Sequence, residues 1–134
     1  MFDKYCSTQN TKQWNTPVGS DDESIRKFMD LPMAKDDEEA KRVLDKGYMS
    51  IIGSILYASM MTRPDIAFHS AYLAKLMLRP SDDALEAALA VVSYLKRSRK
   101  YGLTYSSNDT LELYSDSSWG RVPRPSAGHV IMYG

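Results

Sequence analysis

The sequence of 134 residues has one cysteine, two histidines and no net charge, and each scarcity excludes a class of protein. The single Cys6 cannot form a disulfide within the chain, and it has no second thiolate with which to build a zinc site. A reducing, intracellular setting is the simplest interpretation. Because 17 basic residues balance 17 acidic residues, the chain is not a uniformly basic nucleic-acid-binding protein, although a local basic patch is compatible with this balance.

Long apolar runs are also absent. The longest uncharged stretch, residues 47–62, is shorter than the roughly 20 apolar residues that span a bilayer, and it contains several hydroxyl side chains. We therefore expect a buried helix there and no membrane partner. The first ten residues have no apolar run, so they do not resemble a secretory signal.

The charges that are present are unevenly distributed. Acidic residues outnumber basic ones over residues 20–46, whereas basic residues outnumber acidic ones over residues 63–100. In the first 46 residues the apolar side chains are too scattered to offset the entropy lost when a backbone is ordered. We predict a polar, largely disordered arm or linker over residues 1–46, although the acidic residues 36–45 could extend a following helix.

Three helices are predicted over residues 47–102. The first begins near Tyr48, where apolar residues recur at the spacing of an amphipathic helix, and Gly53 within it suggests the close approach of another element. The second begins at Thr62, which can cap it together with Asp65, and ends near residue 78. The third is capped by Ser81 and ends in a group of basic residues.

The pattern changes after residue 102 to the alternation of strands. Short strands are predicted over residues 103–105, 111–116 and 129–133, with a turn at residues 108–109. In the second strand, Asp116 shares a face with Tyr114. An aspartate at the end of such a strand is paired, caps a turn or binds a metal, and spacing alone favours the turn or cap.

Two groups of basic residues could contact phosphates. The basic cluster at the end of the third helix consists of Lys96, Arg97, Arg99 and Lys100. Four phosphate contacts would make binding markedly salt-dependent, but cations also suit the negative end of a helix dipole without any ligand. Arg121 and Arg124, among prolines, present the same two alternatives in a loop.

Histidine and serine positions show no catalytic pattern. His69 falls near the buried stripe of the second helix and His129 begins a strand, so structural roles are favoured for both. The serines at positions 54, 70 and 93 fall within helices rather than on a sharp nucleophile turn. A phosphate-binding glycine loop is also missing from the sequence.

Several motifs, in a fixed order, resemble the Pol polyprotein of copia-type LTR retrotransposons. The first two are Tyr-Met-Ser-Ile-Ile-Gly-Ser-Ile-Leu-Tyr at 48–57 and Thr-Arg-Pro-Asp-Ile at 62–66. The others are Tyr-Leu-Lys at 94–96, Tyr-Gly-Leu-Thr-Tyr at 101–105, Tyr-Ser-Asp-Ser-Ser-Trp at 114–119 and Arg-Pro-Ser-Ala-Gly at 124–128. The resemblance covers about residues 47–134, and more weakly Asn-Thr-Pro at 15–17.

In that family this region joins the end of the reverse transcriptase to the start of the ribonuclease H domain. The resemblance implies an α+β fold, in which a three-helix thumb- or connection-like bundle over residues 47–102 is followed by the first strands of an incomplete ribonuclease H-like sheet over residues 103–134. It also implies two partners, namely an RNA–DNA hybrid or primer–template duplex at the basic cluster, and the remainder of the Pol polyprotein. The implied location is a cytoplasmic virus-like particle or the nucleus.

Asp116 matches the first metal-binding carboxylate of ribonuclease H, so the resemblance implies a catalytic and metal-ligating role for it. The intact family enzyme uses magnesium or manganese, and one isolated aspartate cannot hold two metal ions. We therefore expect this chain to bind none and to be inactive by itself.

Two departures from the family pattern accompany this expectation. Ser118 stands where the family usually has a second aspartate, and the loop Arg-Ser-Thr-Ser-Gly is replaced by Arg-Pro-Ser-Ala-Gly at 124–128. The paired polymerase aspartates and the other ribonuclease H carboxylates fall outside this sequence, so we interpret the chain as a Pol fragment. The alternative is a non-catalytic helical module that binds nucleic acid or another protein.

Overall fold

The computed structural model describes residues 16–19, 21–104, 110–117 and 127–133, which fall into two compact units, Met1–Gly102 and Leu103–Gly134. The described part of the first unit contains five α-helices. They are α1 Asp22–Met29, α2 Asp37–Asp45, α3 Tyr48–Met61, α4 Ala67–Ala74 and α5 Asp82–Arg97. A 3-10 turn, Pro64–Ile66, precedes α4. The described residues therefore form two more helices than the three that the sequence predicts.

Both additional helices lie in the segment predicted to be a disordered arm. The side chain of Asp21 caps α1 by accepting a hydrogen bond from the backbone N–H of Ser24 at 2.8 Å. In the same way, Asp36 caps α2 by accepting from the N–H of Glu39 at 2.7 Å. Each cap satisfies one of the N–H groups that have no partner inside the helix.

These short helices are held by a few buried apolar side chains. Phe28 of α1 is 3% exposed and Val43 of α2 is fully buried. Helices of eight and nine residues are marginal in water, so their order depends on this packing against the rest of the unit. The predicted arm is therefore wrong for residues 21–46, because the apolar residues there are few but well placed. Residues 1–15 of that arm lie outside the described residues.

The first and third predicted helices are confirmed as α3 and α5. Gly47 has φ of 87°, a left-handed conformation that suits glycine, and it lets the chain turn from α2 into α3. Gly53 is exposed, and a Cβ built there meets no described atom within 4 Å, so the expected close approach is wrong. Ser81 caps α5 through the N–H of Ala84, as predicted.

The core of the first unit lies between α3, α4 and α5. Its central side chains are Ile51, Ile52, Ile55, Leu73, Val91, Val92 and Leu95. Burial of each large aliphatic side chain contributes about 1.5–3 kcal/mol relative to exposure. Tyr48 is fully buried beside them, and its hydroxyl donates to the carbonyl of Leu73 at 2.9 Å. Burial raises the pKa of Tyr48 to about 12.

The second predicted helix is shorter than expected. It begins as the 3-10 turn Pro64–Ile66 and continues as α4, which ends at Ala74 rather than near residue 78. The N–H groups of Leu76 and Met77 donate to carbonyls three residues earlier, so the chain tightens into turns. This tightening precedes Pro80, which disfavours a helical residue before it.

An ion pair connects the start of α5 to α2. The carboxylate of Asp82 contacts the ammonium of Lys46 at 3.1 Å and the guanidinium of Arg42. The N–H of Asp82 donates to the side chain of Glu39 at 3.1 Å. Hydrogen bonds from Lys46 and then Arg42 lower the pKa of Asp82. Because these ion pairs are exposed to solvent, they add little to the stability of the unit.

The described part of the second unit contains an antiparallel pair of strands, β1 Leu111–Ser117 and β2 Ala127–Tyr133. They confirm the strands predicted at 111–116 and 129–133, whereas residues 103 and 104 lie outside any strand and residues 105–109 lie outside the described residues. The pair gives a mixed α and β fold, and its assignment to a ribonuclease H-like sheet stays a prediction. None of the helices in the described ranges has the length and apolar character needed to span a bilayer.

Candidate nucleic-acid interface

The basic cluster lies where α5 ends. Lys96 and Arg97 occupy the last turn of the helix, and Arg99 and Lys100 follow in the turn after it. Arg97 donates from Nη1 to the hydroxyl of Ser93 at 3.0 Å, and Arg99 donates from Nε to the carbonyl of Lys96 at 3.3 Å. Lys96 is half-buried and the other three are exposed. The structure thus brings the four predicted residues together on one short segment.

A buried arginine from another segment holds this end of α5. Arg63 is 6% exposed, and its Nη1 donates to the carbonyl of Ser98 at 3.0 Å. Its Nη2 donates to the hydroxyl of the same serine at 2.7 Å. Ser98 in turn donates to the carbonyl of Tyr94 at 2.8 Å. Carbonyls at a helix C-terminus have no partner within the helix, and Arg63 shares the Ser98 carbonyl with the backbone N–H of Tyr101.

The charge of Arg63 is neutralised by Asp65. Nε and Nη2 of Arg63 donate to the two carboxylate oxygens at 2.9 and 2.7 Å, which is a bidentate pair. The hydroxyl of Tyr94 donates to the same carboxylate at 2.7 Å. The hydrogen bonds from Arg63 are the largest influence lowering the pKa of Asp65, and the bond from Tyr94 lowers it further. We refer to Arg63, Asp65, Tyr94 and Ser98 as the arginine clamp.

The sequence did not reveal this clamp. It predicted that Thr62 and Asp65 form a capping box, but no side chain caps the 3-10 turn and Asp65 pairs with Arg63 instead. The capping prediction is therefore wrong. Arg63 and Ser98 are 35 residues apart in the chain, so no local spacing indicates that they meet.

Tyr101 lies at the edge of the basic cluster. Its N–H donates to the carbonyl of Ser98 at 3.0 Å, the same carbonyl that accepts from Arg63. Its ring centroid is 5.9 Å from the guanidinium carbon of Arg63, and the ring of Tyr94 is 5.3 Å away from that carbon. Both distances are within the range of cation–π contacts. The clamp therefore supports an aromatic residue next to the cations.

Asp116 lies in β1, directly opposite Gly128 in the register. Its carboxylate accepts a hydrogen bond from the N–H of Ser117 at 2.8 Å, and the residue is exposed. His129 pairs with Ser115, so it lies on the other face of the sheet. Nowhere in the described ranges do three or more His, Cys, Asp or Glu residues gather closely enough to hold a metal ion. The described residues therefore do not fit a two-metal centre. Ser118, Arg121 and Arg124 lie outside the described residues.

His69 packs in an aromatic group, which is consistent with the structural role favoured for it. Its ring centroid is 5.1 Å from that of Phe28 and 5.5 Å from that of Phe68. Its Nδ1 is buried without a hydrogen-bond partner, and burial lowers the pKa of His69. The side chain therefore favours the neutral form, and its ring packs against those of Phe28 and Phe68.

Comparison with known proteins identifies transposon-encoded relatives. The chain is 33% identical over 90 residues to a transposon Ty5-1 protein of Saccharomyces cerevisiae, which covers 63% of this chain and 29% of that protein. It is 34% identical over 74 residues to the retrovirus-related Pol polyprotein from transposon RE1 of Arabidopsis thaliana, which covers 54% of this chain and 5% of the polyprotein. No family model matches the chain, and no solved structure does.

These relatives show that transposon proteins, among them a retrovirus-related Pol polyprotein, are homologues of this chain. The resemblance to a retrotransposon Pol polyprotein, predicted from the order of motifs, is confirmed. A Secreted RxLR effector protein 161 of Plasmopara viticola is also 34% identical over 74 residues, covering 54% of this chain and 52% of the effector. The chain spans about half the length of that relative and much less of the others.

Proposed function

We propose that the chain is a segment of a copia-type Pol polyprotein, joining the end of the reverse transcriptase to the start of ribonuclease H. Its own proposed activity is to bind an RNA–DNA hybrid or primer–template duplex through the basic cluster. The relatives named as Pol polyproteins support the source, and the order of motifs supports the position within it. The observation that carries the binding proposal is the arginine clamp, which fixes the segment bearing Lys96, Arg97, Arg99 and Lys100.

The charge pattern favours phosphate over a purely structural role. The basic cluster places four cations within five consecutive positions, 96–100, with Ser98 as the only uncharged residue. One or two cations in the last turn of a helix interact favourably with its dipole. This interaction falls off beyond that turn, where Arg99 and Lys100 lie. Two of the cations are arginines, whose planar guanidinium matches phosphate oxygens in a bidentate geometry.

The clamp also reduces the cost of binding. A segment that is ordered only upon binding loses conformational entropy, which weakens affinity. Here Ser98 is buried and bonded to Arg63 on both its carbonyl and its hydroxyl, so the backbone between the cations is already held. Phosphate binding then requires mainly that the exposed side chains choose their rotamers.

Asp116 as the first metal-binding carboxylate of ribonuclease H remains a proposal from the resemblance. The described residues gather no set of carboxylates that could hold a metal, so we propose binding rather than hydrolysis as the activity of this chain by itself. In the intact family enzyme, magnesium or manganese would supply a nucleophilic hydroxide and stabilise charge on the scissile phosphate.

The test is the salt dependence of hybrid binding in matched lysine variants. Affinity for a fluorescent RNA–DNA hybrid is measured by anisotropy over a series of salt concentrations, for the wild type, Lys100→Ala and Lys41→Ala. Each phosphate contact contributes about 0.7–0.9 to the slope of log affinity against log salt. We expect Lys100→Ala to reduce the slope by roughly that amount, and Lys41→Ala, an exposed lysine on α2, to leave it unchanged. Equal slopes for all three proteins would contradict the proposal.

A second candidate, a protein-binding helical module, is favoured by α3. This helix carries no charged residue, and three of its methionines are exposed: Met49, Met60 and Met61. Such a surface suits the remainder of a Pol polyprotein as partner. The salt series separates the two candidates, because a chain that binds only protein shows no salt-dependent affinity for the hybrid.

A further inference from the structure

Tyr101 is an exposed aromatic side chain directly after the last cation of the basic cluster. It is 66% exposed although it contacts the buried guanidinium of Arg63 through its ring. The backbone bond from its N–H to Ser98 holds the residue in the turn that carries Arg99 and Lys100. Its ring is therefore partly positioned by the clamp and largely open to solvent.

Cations that follow the backbone and aromatic rings that stack on bases are the combination by which proteins bind unpaired nucleotides. A duplex without unpaired bases offers phosphates to the cations but hides its base faces inside the stack. An exposed tyrosine beside the cluster cannot stack on the paired bases inside such a duplex. It does add a contact when the ligand carries a single-stranded extension.

We propose that Tyr101 is a base-stacking position, so that the basic cluster prefers a hybrid or duplex carrying unpaired nucleotides over a blunt one. This inference rests on the proposed binding function and specifies its ligand. Arg63 acts as a positioning residue for Tyr101, because Arg63 contacts the tyrosine ring and the Ser98 carbonyl rather than the ligand.

The experiment compares two ligands, a blunt RNA–DNA hybrid and the same hybrid with a single-stranded extension, by fluorescence anisotropy. For the wild type we expect the extension to increase affinity about 5- to 150-fold, the range for stacking of one base on an aromatic side chain. Tyr101→Phe should retain this preference and Tyr101→Leu should lose it. Neither substitution removes a charge, so the salt slope on the blunt hybrid should stay the same.

Tyr57 provides the matched control. It is 68% exposed on α3, outside the basic cluster, so Tyr57→Leu removes a similarly exposed tyrosine and should keep the preference for the extension. A wild type without this preference, or a Tyr101→Leu protein that keeps it, overturns the inference while leaving salt-dependent binding of the blunt hybrid intact. A wild type that binds neither ligand overturns the proposed function as well.

Discussion

Arg63 carries its charge in a nearly inaccessible position, and the surrounding groups explain why that charge is tolerated. Burying an ion is costly unless it is paired and its donors are satisfied. Asp65 supplies the opposite charge and Ser98 accepts two further hydrogen bonds, so the described guanidinium contacts account for all three nitrogens. The side chain is thereby able to link the start of the 3-10 turn to the end of α5.

The paired state of Asp65 makes a pH-dependent prediction. The pKa of Asp65 is lowered in the folded protein, so its contribution to stability is complete above its unfolded pKa of about 3.9 and is lost as the pH falls through the folded pKa. Asp65→Asn lacks this titration. We expect the free energy of unfolding in urea to be lower for Asp65→Asn than for the wild type at pH 6, with the difference narrowing below about pH 4.

The wild type and Asp65→Asn share every other titratable group. A change with pH in the difference between their free energies of unfolding is therefore due to Asp65. A difference between wild type and Asp65→Asn that stays the same from pH 6 to the acid limit would show that the lowered pKa of Asp65 contributes nothing to stability.

The basic cluster and Asp116 could be predicted from local residue types in the sequence, whereas the partners of Arg63 could not. The four cations fall within five consecutive positions, and the strand alternation alone places Asp116 on a face. Arg63 meets Tyr94 and Ser98 only because α5 folds back across the 3-10 turn, and hydrogen bonds between residues about 30 positions apart have no signature in a single sequence. For this reason the residues Thr62 and Asp65 suggested a local capping box that does not form.

At the level of elements, α3, α5 and the two strands follow from periodicity, and α1 and α2 do not. Half of the positions in α1 are both exposed and charged, so its pattern resembles that of a disordered segment. What orders it is one aromatic anchor, Phe28, together with the hydroxyl of Tyr72, which donates to the carbonyl of Met29. A single well-buried ring has more influence here than the average composition of the segment.

The anchoring of α1 can be tested by Phe28→Ala. Phe28 is 3% exposed and packs on the rings of Phe68 and Tyr72, so its removal should lower the free energy of unfolding by about 3–5 kcal/mol. Ile25→Ala is the control on the same helix, because Ile25 is 40% exposed, and we expect a change within about 0.5 kcal/mol. Chemical denaturation measures both, and similar effects for the two variants would show that α1 is not anchored through Phe28.

At the level of the whole molecule, the described parts of the two units differ in how many apolar side chains they bury. The first unit has a contiguous apolar core. In the second unit, the described strands form a two-stranded sheet whose residues are all exposed, with Leu111, Leu113, Ile131 and Tyr133 on one face. Isolated two-stranded sheets are marginal in water. This contrast favours the helical unit as the part that carries the proposed binding activity.

The most direct measurement of the central claim is the salt dependence of wild-type binding to an RNA–DNA hybrid. If the four cations of the clamped segment each contact a phosphate, log affinity should fall with log salt at a slope of about −2.8 to −3.6. Raising the salt fourfold should then weaken binding roughly 100-fold. A slope near zero, or no binding at low salt, would contradict the claim that the segment fixed by Arg63 is a phosphate-binding surface.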